Sequence, residues 1–467
     1  MNVKHILLRL ALLAAAGGPT LTVAADSAEQ EGKPPTGISC EVSRACVLQL
    51  GYGNVCEEGF CKSYIDRADL FTLLHFTQDE KPAPAPFKLY PAFLPAVGYN
   101  PALGFLLGAL GTFGMYLGDP DDTTMSSANG LVLVTTNSQL VVQSAQTIMT
   151  AGNEWELQGD WRFLLFNQDT YGLGTGTPAV SSSFSIDGWG QTTPINGAQP
   201  MKFDLLRIHE LVLKKISKDL YVGGGYHLDR YFGIDDESLD LSASSPVVTS
   251  AYAYNTLYGF DTSEYTVSGV SADVLYDSRD STINSYRGLY AHFGVLGLPT
   301  WLGSSQSASQ AVGEFRAYLG LSDNTPRDVL AFWAIAQGPM GGHLPYLALP
   351  AIGWDASSTT GRGYVQGRFR GPAEVYAEVE LRFRIANNGF LGGTVFANAE
   401  TFSRPAVNLP AYPSASQGSV DLFQYVKPAG GVGLRLLMNR ESRTNIRVDF
   451  AWGVDSFTLY LGSGEAF

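Results

Sequence analysis

The chain of 467 residues sets 30 Lys and Arg against 44 Asp and Glu, and its formal net charge of -14 argues against nucleic acid as a partner, because a phosphate backbone is held by excess cations. Only 16% of residues are charged, 12% are aromatic and 52 are Gly, which is unusual for a soluble domain. Beyond the first residues no apolar run nears the length of a spanning helix, so a helical membrane protein is excluded, whereas strands facing lipid at alternate positions suit this composition.

In chain order, Lys4 and Arg9 form a weak basic region, residues 10–16 are apolar, and Val23-Ala24-Ala25 has the small-residue pattern of a signal-peptidase site. Residues 1–25 are therefore expected to be an export signal; the apolar run is too short for a membrane anchor. All four cysteines, Cys40, Cys46, Cys56 and Cys61, fall in one window that would meet an oxidising periplasm. Two disulfides are expected, with three connectivities open; a zinc site fits poorly, since the window lacks His and paired short Cys turns. Residues 81–86, Lys-Pro-Ala-Pro-Ala-Pro, read as an extended linker, so that 26–86 form a short Cys-rich, Pro-rich periplasmic extension and 87–467 the main domain.

From Phe87 onward, segments of about ten residues alternate apolar and polar, the repeated signature of membrane strands. Trp155, Leu157, Trp161, Phe163 and Leu165 oppose Glu154, Glu156, Gln158, Asp160 and Arg162. Similarly, Val375, Ala377, Val379, Leu381, Phe383 and Ile385 oppose Glu374, Tyr376, Glu378, Glu380, Arg382 and Arg384. One face suits lipid and the charged face a wet lumen. The expected fold is all-β, a transmembrane antiparallel barrel of about sixteen strands. Short turns at 217–218, 386–388 and 439–442 should be periplasmic, and the long stretches 168–200, 233–263, 339–372 and 404–422 extracellular. The turn at 118–129 is long for the periplasmic side.

Enzyme patterns fail on inspection. His209-Glu210 begins like a zinc-protease helix, but the second His position is Leu213 in a strand-like stretch. Gly172, Gly174 and Gly176 alternate without a following helix and read as a flexible loop tip. No Gly-x-Ser-x-Gly elbow occurs, so neither catalytic residues, a cofactor nor a metal is expected; a hydrolase using Ser and His on the barrel wall is the third functional reading.

Three further stretches carry a family pattern: Tyr276-Asp277-Ser278-Arg279-Asp280 with Gly288; Gly361-Arg362-Gly363-Tyr364 with Gln366-Gly367-Arg368-Phe369-Arg370-Gly371, leading into Glu380-Leu381-Arg382; and residues 445–467 with Arg447, Asp449 and the ending Gly464-Glu465-Ala466-Phe467. Together these resemble the BamA/TamA-like outer-membrane assembly barrels, the bacterial surface antigen family. The resemblance implies a turn between the eighth and ninth strands at Asp277, Arg279 and Asp280. It also implies a long sixth extracellular loop, folded toward the lumen, that carries Arg362, Gly363, Tyr364, Arg368 and Arg370. In the family the motif arginine reaches an acidic residue on the inner wall, so Arg362 is expected to meet Glu378, Glu380 or Glu400, with Arg382 on the same face. Where the family's thirteenth strand shows Phe-x-Asp this chain has Phe396-Ala397-Asn398, an amide in place of the acid, and Glu400 is the alternative. Arg362 either pins a loop that plugs the pore or takes part in moving substrate.

The family normally adds periplasmic POTRA domains, for which residues 26–86 leave too little room. The leading expectation is a monomeric barrel in the Gram-negative outer membrane that inserts or translocates polypeptides, or lipid, through a seam between its first and last strands. Outer-membrane lipid and lipopolysaccharide would surround it, and unfolded clients or a separate periplasmic protein would be its partners. A passive pore or surface receptor is the second reading. In the terminal strand Phe457, Leu459, Leu461 and Phe467 are expected to share the outward face, with Glu465 at the periplasmic rim.

Overall fold

The computed structural model describes residues 54–57, 60–63, 70, 84–100, 104–136, 138–176, 181–186, 197–322, 326–386, 389–440 and 442–467. Two compact units divide the chain, Met1–Tyr64 and Ile65–Phe467. In the first, β1 (Asn54–Glu57) and β2 (Phe60–Ser63) form an antiparallel hairpin whose register sets Cys56 opposite Cys61. Cys40, Cys46 and the export signal lie outside the described residues.

The second unit is one sheet rolled into a barrel. Its strands are β3 (Leu89–Asn100), β4 (Gly104–Met115), β5 (Ser126–Thr135), β6 (Leu140–Met149), β7 (Trp155–Thr170), β8 (Ser181–Ile186), β9 (Gln199–Ser217), β10 (Leu220–Asp236), β11 (Tyr265–Asp277) and β12 (Gly288–Leu298). They continue with β13 (Ala308–Gly320), β14 (Val329–Gly341), β15 (Glu374–Arg384), β16 (Leu391–Phe402), β17 (Lys427–Asn439), β18 (Thr444–Gly453) and β19 (Ser456–Ser463). The sheet thus has seventeen strands rather than about sixteen. The additional one is β8, a six-residue strand inside the stretch 168–200, which pairs with neither β7 nor β9 in the described registers. β7 pairs directly with β9, and β8 instead runs parallel to β19. The remaining sixteen form an antiparallel meander, each paired to the next.

Period-two alternation builds two unlike faces. Outward stand Phe93, Val132, Phe163, Val212, Phe293, Val379 and Val432, all exposed, as the outer wall of a membrane barrel requires. Inward stand Glu156, Asp160, Arg162, Asp229, Asp273, Glu378, Glu380, Arg435 and Asp449, all buried. Among the described residues no helix is long and apolar enough to cross a membrane. One helix, α1 (Ser250–Tyr258), lies in the connection after β10; the Thr249 side chain accepts the Tyr252 amide at its start and Gly259 closes it at φ 73°.

The long connections, after β7, β10, β14 and β16, all lie at one end of the barrel, together with the β12–β13 connection and the brief β3–β4, β5–β6 and β18–β19 turns; the other, short-turn end carries the rest. The β4–β5 turn is shorter than the sequence suggests, because β5 already begins at Ser126. At the short-turn end, the β11–β12 turn crosses the opening: Thr282 Oγ1 donates to the Met125 carbonyl at 2.8 Å beside β5, and Asn284 Nδ2 to the Arg443 carbonyl at 3.3 Å beside β18. At the long-connection end, Gly172 and Gly174 are part of a held segment, since the Gly174 amide donates to the Arg370 carbonyl at 2.7 Å.

The ring closes where β19 comes up beside β3, and no register partners are described between those two strands. After Ser463 the chain turns inward at Gly464, whose φ is 80°. Phe467 is therefore a correction to the expected outward row: it is buried, and its ring stacks on Trp333 of β14 at 5.2 Å. Glu465 likewise turns inward instead of marking a rim.

Candidate functional site

β15 presents Glu378, Glu380 and Arg382 on its inner face, β17 presents Arg435, and β18 presents Arg447 and Asp449. Into this group reaches Arg362, from the connection 342–373 between β14 and β15. Its guanidinium bonds Glu378 and Glu380 and donates from Nη1 to Asp449 at 2.8 Å, while the charge lies 3.6 Å from the centre of the Phe396 ring. Arg382 Nε donates to Glu380 at 2.7 Å; Arg435 donates to Asp449 at 2.5 Å and to Glu465 at 2.7 Å. Four cations, Arg362, Arg382, Arg435 and Arg447, thus meet four carboxylates, Glu378, Glu380, Asp449 and Glu465, in an almost wholly buried cluster. Each buried ion carries a desolvation cost of several kcal/mol that only complete pairing offsets. For Arg362, burial alone would lower the pKa, and Glu378, Glu380 and Asp449 reverse this and hold it well above the ordinary guanidinium value.

Other expected residues have different places. Asn398 donates its amide to the Arg362 carbonyl at 2.9 Å. Glu400 is buried on the same wall, two residues further along, and neither carboxylate oxygen has a hydrogen-bond partner, so it does not replace the absent acid beside Arg362. Gly363 passes so close to the wall that a Cβ there would stand 2.6 Å from the Cβ of Ala429. Tyr364 donates to the Pro428 carbonyl at 2.8 Å and accepts the Val454 amide at 2.9 Å; Gly453 leaves the space for its ring. Arg370 donates to the carbonyls of Leu347 and Leu349 at 2.6 and 3.1 Å, closing the connection on itself. Arg368 lies over the rings of Tyr171 and Phe369, and burial pulls its pKa down.

The turn residues stand apart from this cluster. Arg279 bonds Asp277 with two nitrogens at 2.9 and 2.6 Å, and Asp280 accepts the amides of Tyr286 and Arg287 and the Arg443 guanidinium at 2.7 Å. Phe457, Leu459 and Leu461 of β19 are half-buried.

Residues that the sequence reading did not assign to Arg362 complete its anchorage. Asp449 bonds Arg362 directly and Arg435 bonds Asp449, and nothing local to Asp449 in the sequence signals its meeting with Arg362, 87 positions away. Asp355 organises the same connection by accepting the amides of Thr359 and Thr360 at 3.0 and 2.9 Å, and Arg162 of β7 donates to its carbonyl at 2.6 Å.

Beside the connection lies a cavity of about 400 Å³, lined by Arg207, His209, His227, Asp229, Ser271, Asp273 and His292 among others. Ser271 donates its hydroxyl to Asp273 at 2.5 Å, and His227 lies 3.1 Å from the same oxygen. With that proton committed to a carboxylate, Ser271 lacks the arrangement of a base-activated nucleophile. Among the described residues no group of three or more His, Cys, Asp or Glu is placed to hold a metal ion.

No family profile and no curated protein matches the sequence. Solved structures align with the chain at low identity. BamA from Haemophilus ducreyi lacking POTRA domains 1–3 aligns at 15% identity and TM-score 0.42, over 79% of this chain and 66% of that one. CdiB from Acinetobacter baumannii aligns at 12% identity and TM-score 0.43, over 80% of this chain and 58% of that one. The outer membrane protein OpdK of Pseudomonas aeruginosa aligns at 13% identity and TM-score 0.27, over 79% and 94%. This chain therefore spans less than two thirds of the length of the first two.

Proposed function

We propose that the protein is an outer-membrane barrel that admits polypeptide segments, for insertion or translocation, at the seam between β3 and β19. The observation that carries this reading is that, among the described residues, no register partners join β3 to β19, whereas each other neighbouring pair of the sixteen-strand meander has a ladder. An edge freed of its neighbour offers backbone donors and acceptors, which an incoming strand can satisfy without fuel. The connection 342–373 acts as the sixth extracellular loop, folded into the lumen and pinned by Arg362. Its surroundings would be lipid and lipopolysaccharide, and its clients unfolded chains delivered by a separate periplasmic partner. Deleting the gene and comparing outer-membrane proteomes tests the reading: selective loss of other barrels is expected, and an unchanged proteome would count against it.

A second reading, a passive pore, is favoured by the cavity of about 400 Å³ beside the loop. Planar-bilayer recordings separate the two. A large steady conductance from the intact barrel supports the pore, whereas a closed barrel that opens only in Arg362→Ala supports a plug.

A further inference from the structure

The two edges that meet at the seam differ in their chemistry. Register partners between β3 and β4 run without a shift from Leu89 opposite Met115 to Asn100 opposite Gly104. Phe105 turns its main chain toward β5, its carbonyl accepting the Thr136 amide at 2.9 Å. Its partner Tyr99 must then turn its own main chain away from β4, since opposed residues in an antiparallel pair either both bond across the ladder or both point outward. By the period of two, Leu89, Pro91, Phe93, Pro95 and Val97 do the same. Pro91 and Pro95 have no N–H, so the seam edge of β3 lacks two of its donors at alternating places. Such an edge leaves fewer orphan groups against lipid and is a poor template for another strand.

β19 has the opposite character. The Gly464 amide donates to the Asn445 carbonyl at 2.8 Å, which continues the β18–β19 ladder and fixes its parity. Phe457, Leu459, Leu461 and Ser463 therefore turn their main chains to the seam, each with its N–H intact. On that side runs β8, in parallel, with six register pairs from Ser181 opposite Ser456 to Ile186 opposite Leu461. Ser185 Oγ donates to the Leu459 carbonyl at 3.4 Å. Ile186 is buried in the apolar cluster that includes Ala96 of β3 and Leu106 and Leu110 of β4, whose side chains face inward.

We propose that the strand-accepting edge of this barrel is β19, occupied at rest by the chain's own β8, while β3 is blunted against pairing by Pro91 and Pro95. The partner that fits is an extended polypeptide parallel to β19. It carries apolar residues where Phe184 and Ile186 oppose Leu459 and Leu461, small polar residues where Ser183 and Ser185 oppose Thr458 and Tyr460, and no proline at bonded positions. The proposal rests on the seam reading above only for the source of that polypeptide.

The test uses the purified full-length barrel and a synthetic peptide of sequence Ser-Ser-Ser-Phe-Ser-Ile bearing a photoreactive group. In a variant whose residues 181–186 are replaced by a Gly-Ser segment of equal length, the label should map to β19. It should exceed labelling of the unaltered chain about tenfold or more, because tethered β8 competes at high effective concentration. Adding Pro91→Ala and Pro95→Ala should bring label onto β3. Label on β3 with both prolines in place, equal labelling with and without β8, or no label at all would overturn the proposal. A paired variant, Ser183→Cys with Thr458→Cys, checks the resting state without disturbing β8, and absence of the cross-link would also overturn it. Outer-membrane proteomes are read separately: label on β19 with normal assembly of other barrels keeps this edge and removes the insertion function.

Discussion

Asn398 gives its side-chain amide to the main-chain carbonyl of Arg362 at 2.9 Å, so the wall grips the backbone of the loop residue whose side chain the carboxylates hold. An aspartate at that place would add a fifth carboxylate to a cluster with four cations; the amide keeps the balance and still anchors the loop. Arg362 is thus bound twice, once by charge and once by its peptide group.

Truncating it should be costly. Arg362→Ala leaves Glu378, Glu380 and Asp449 short of a cation in a buried site and is expected to destabilise the barrel by about 3–5 kcal/mol. Urea unfolding in detergent would measure this. Combining it with Glu380→Gln should recover part of the loss, and strictly additive effects of the two substitutions would show that they do not share a network.

Glu400 should behave oppositely. Its carboxyl group is buried with both oxygens unpartnered, so Glu400→Gln, which keeps the shape and carries no charge, is expected to be neutral or stabilising by about 1 kcal/mol. A loss as large as that of Arg362→Ala in the same unfolding assay would mean that the carboxylate has a partner.

Gly363 has φ of 115° and no room for a methyl group against Ala429, so Gly363→Ala should displace the loop at a cost of about 1–3 kcal/mol. Faster proteolytic cleavage within 342–373, with the outer wall still resistant, is the expected result.

At the short-turn end, the pair between Asp280 and Arg443 is partly exposed and contributes about 0–1 kcal/mol. Asp280→Asn also weakens the acceptor for Tyr286 and Arg287, so amide exchange across 278–287 should quicken while unfolding of the whole barrel barely moves. Exchange unchanged from the parent would show that Thr282 and Asn284 suffice to hold the turn.

Wall strands were legible because lipid and lumen impose opposite chemistry on alternate residues, as in β7 and β15. What one strand meets across the barrel was not, since nothing local to Asp449 points to Arg362. β8 was missed for a related reason: a six-residue, Ser-rich run has no periodicity long enough to read, and its pairing is with a strand far away in sequence. Phe467 was misplaced by extending the parity of β19 past Gly464, where a positive φ ends the strand. That glycine, one residue after Ser463, was the available sign of a turn. Helix α1 also had a readable signature, a Thr at its start and a Gly just past its end.

The inward turn of the last residues ties three parts of the molecule to one another. The Ala466 carbonyl accepts from Thr359 of the loop at 2.6 Å, and the Phe467 main-chain oxygen accepts from Arg382 at 2.9 Å on the inner wall. Any outward swing of β19 must first draw this tether out from under Trp333. On the seam reading proposed above, the tether would make β19 and the loop one latch, neither travelling far while the other stays seated.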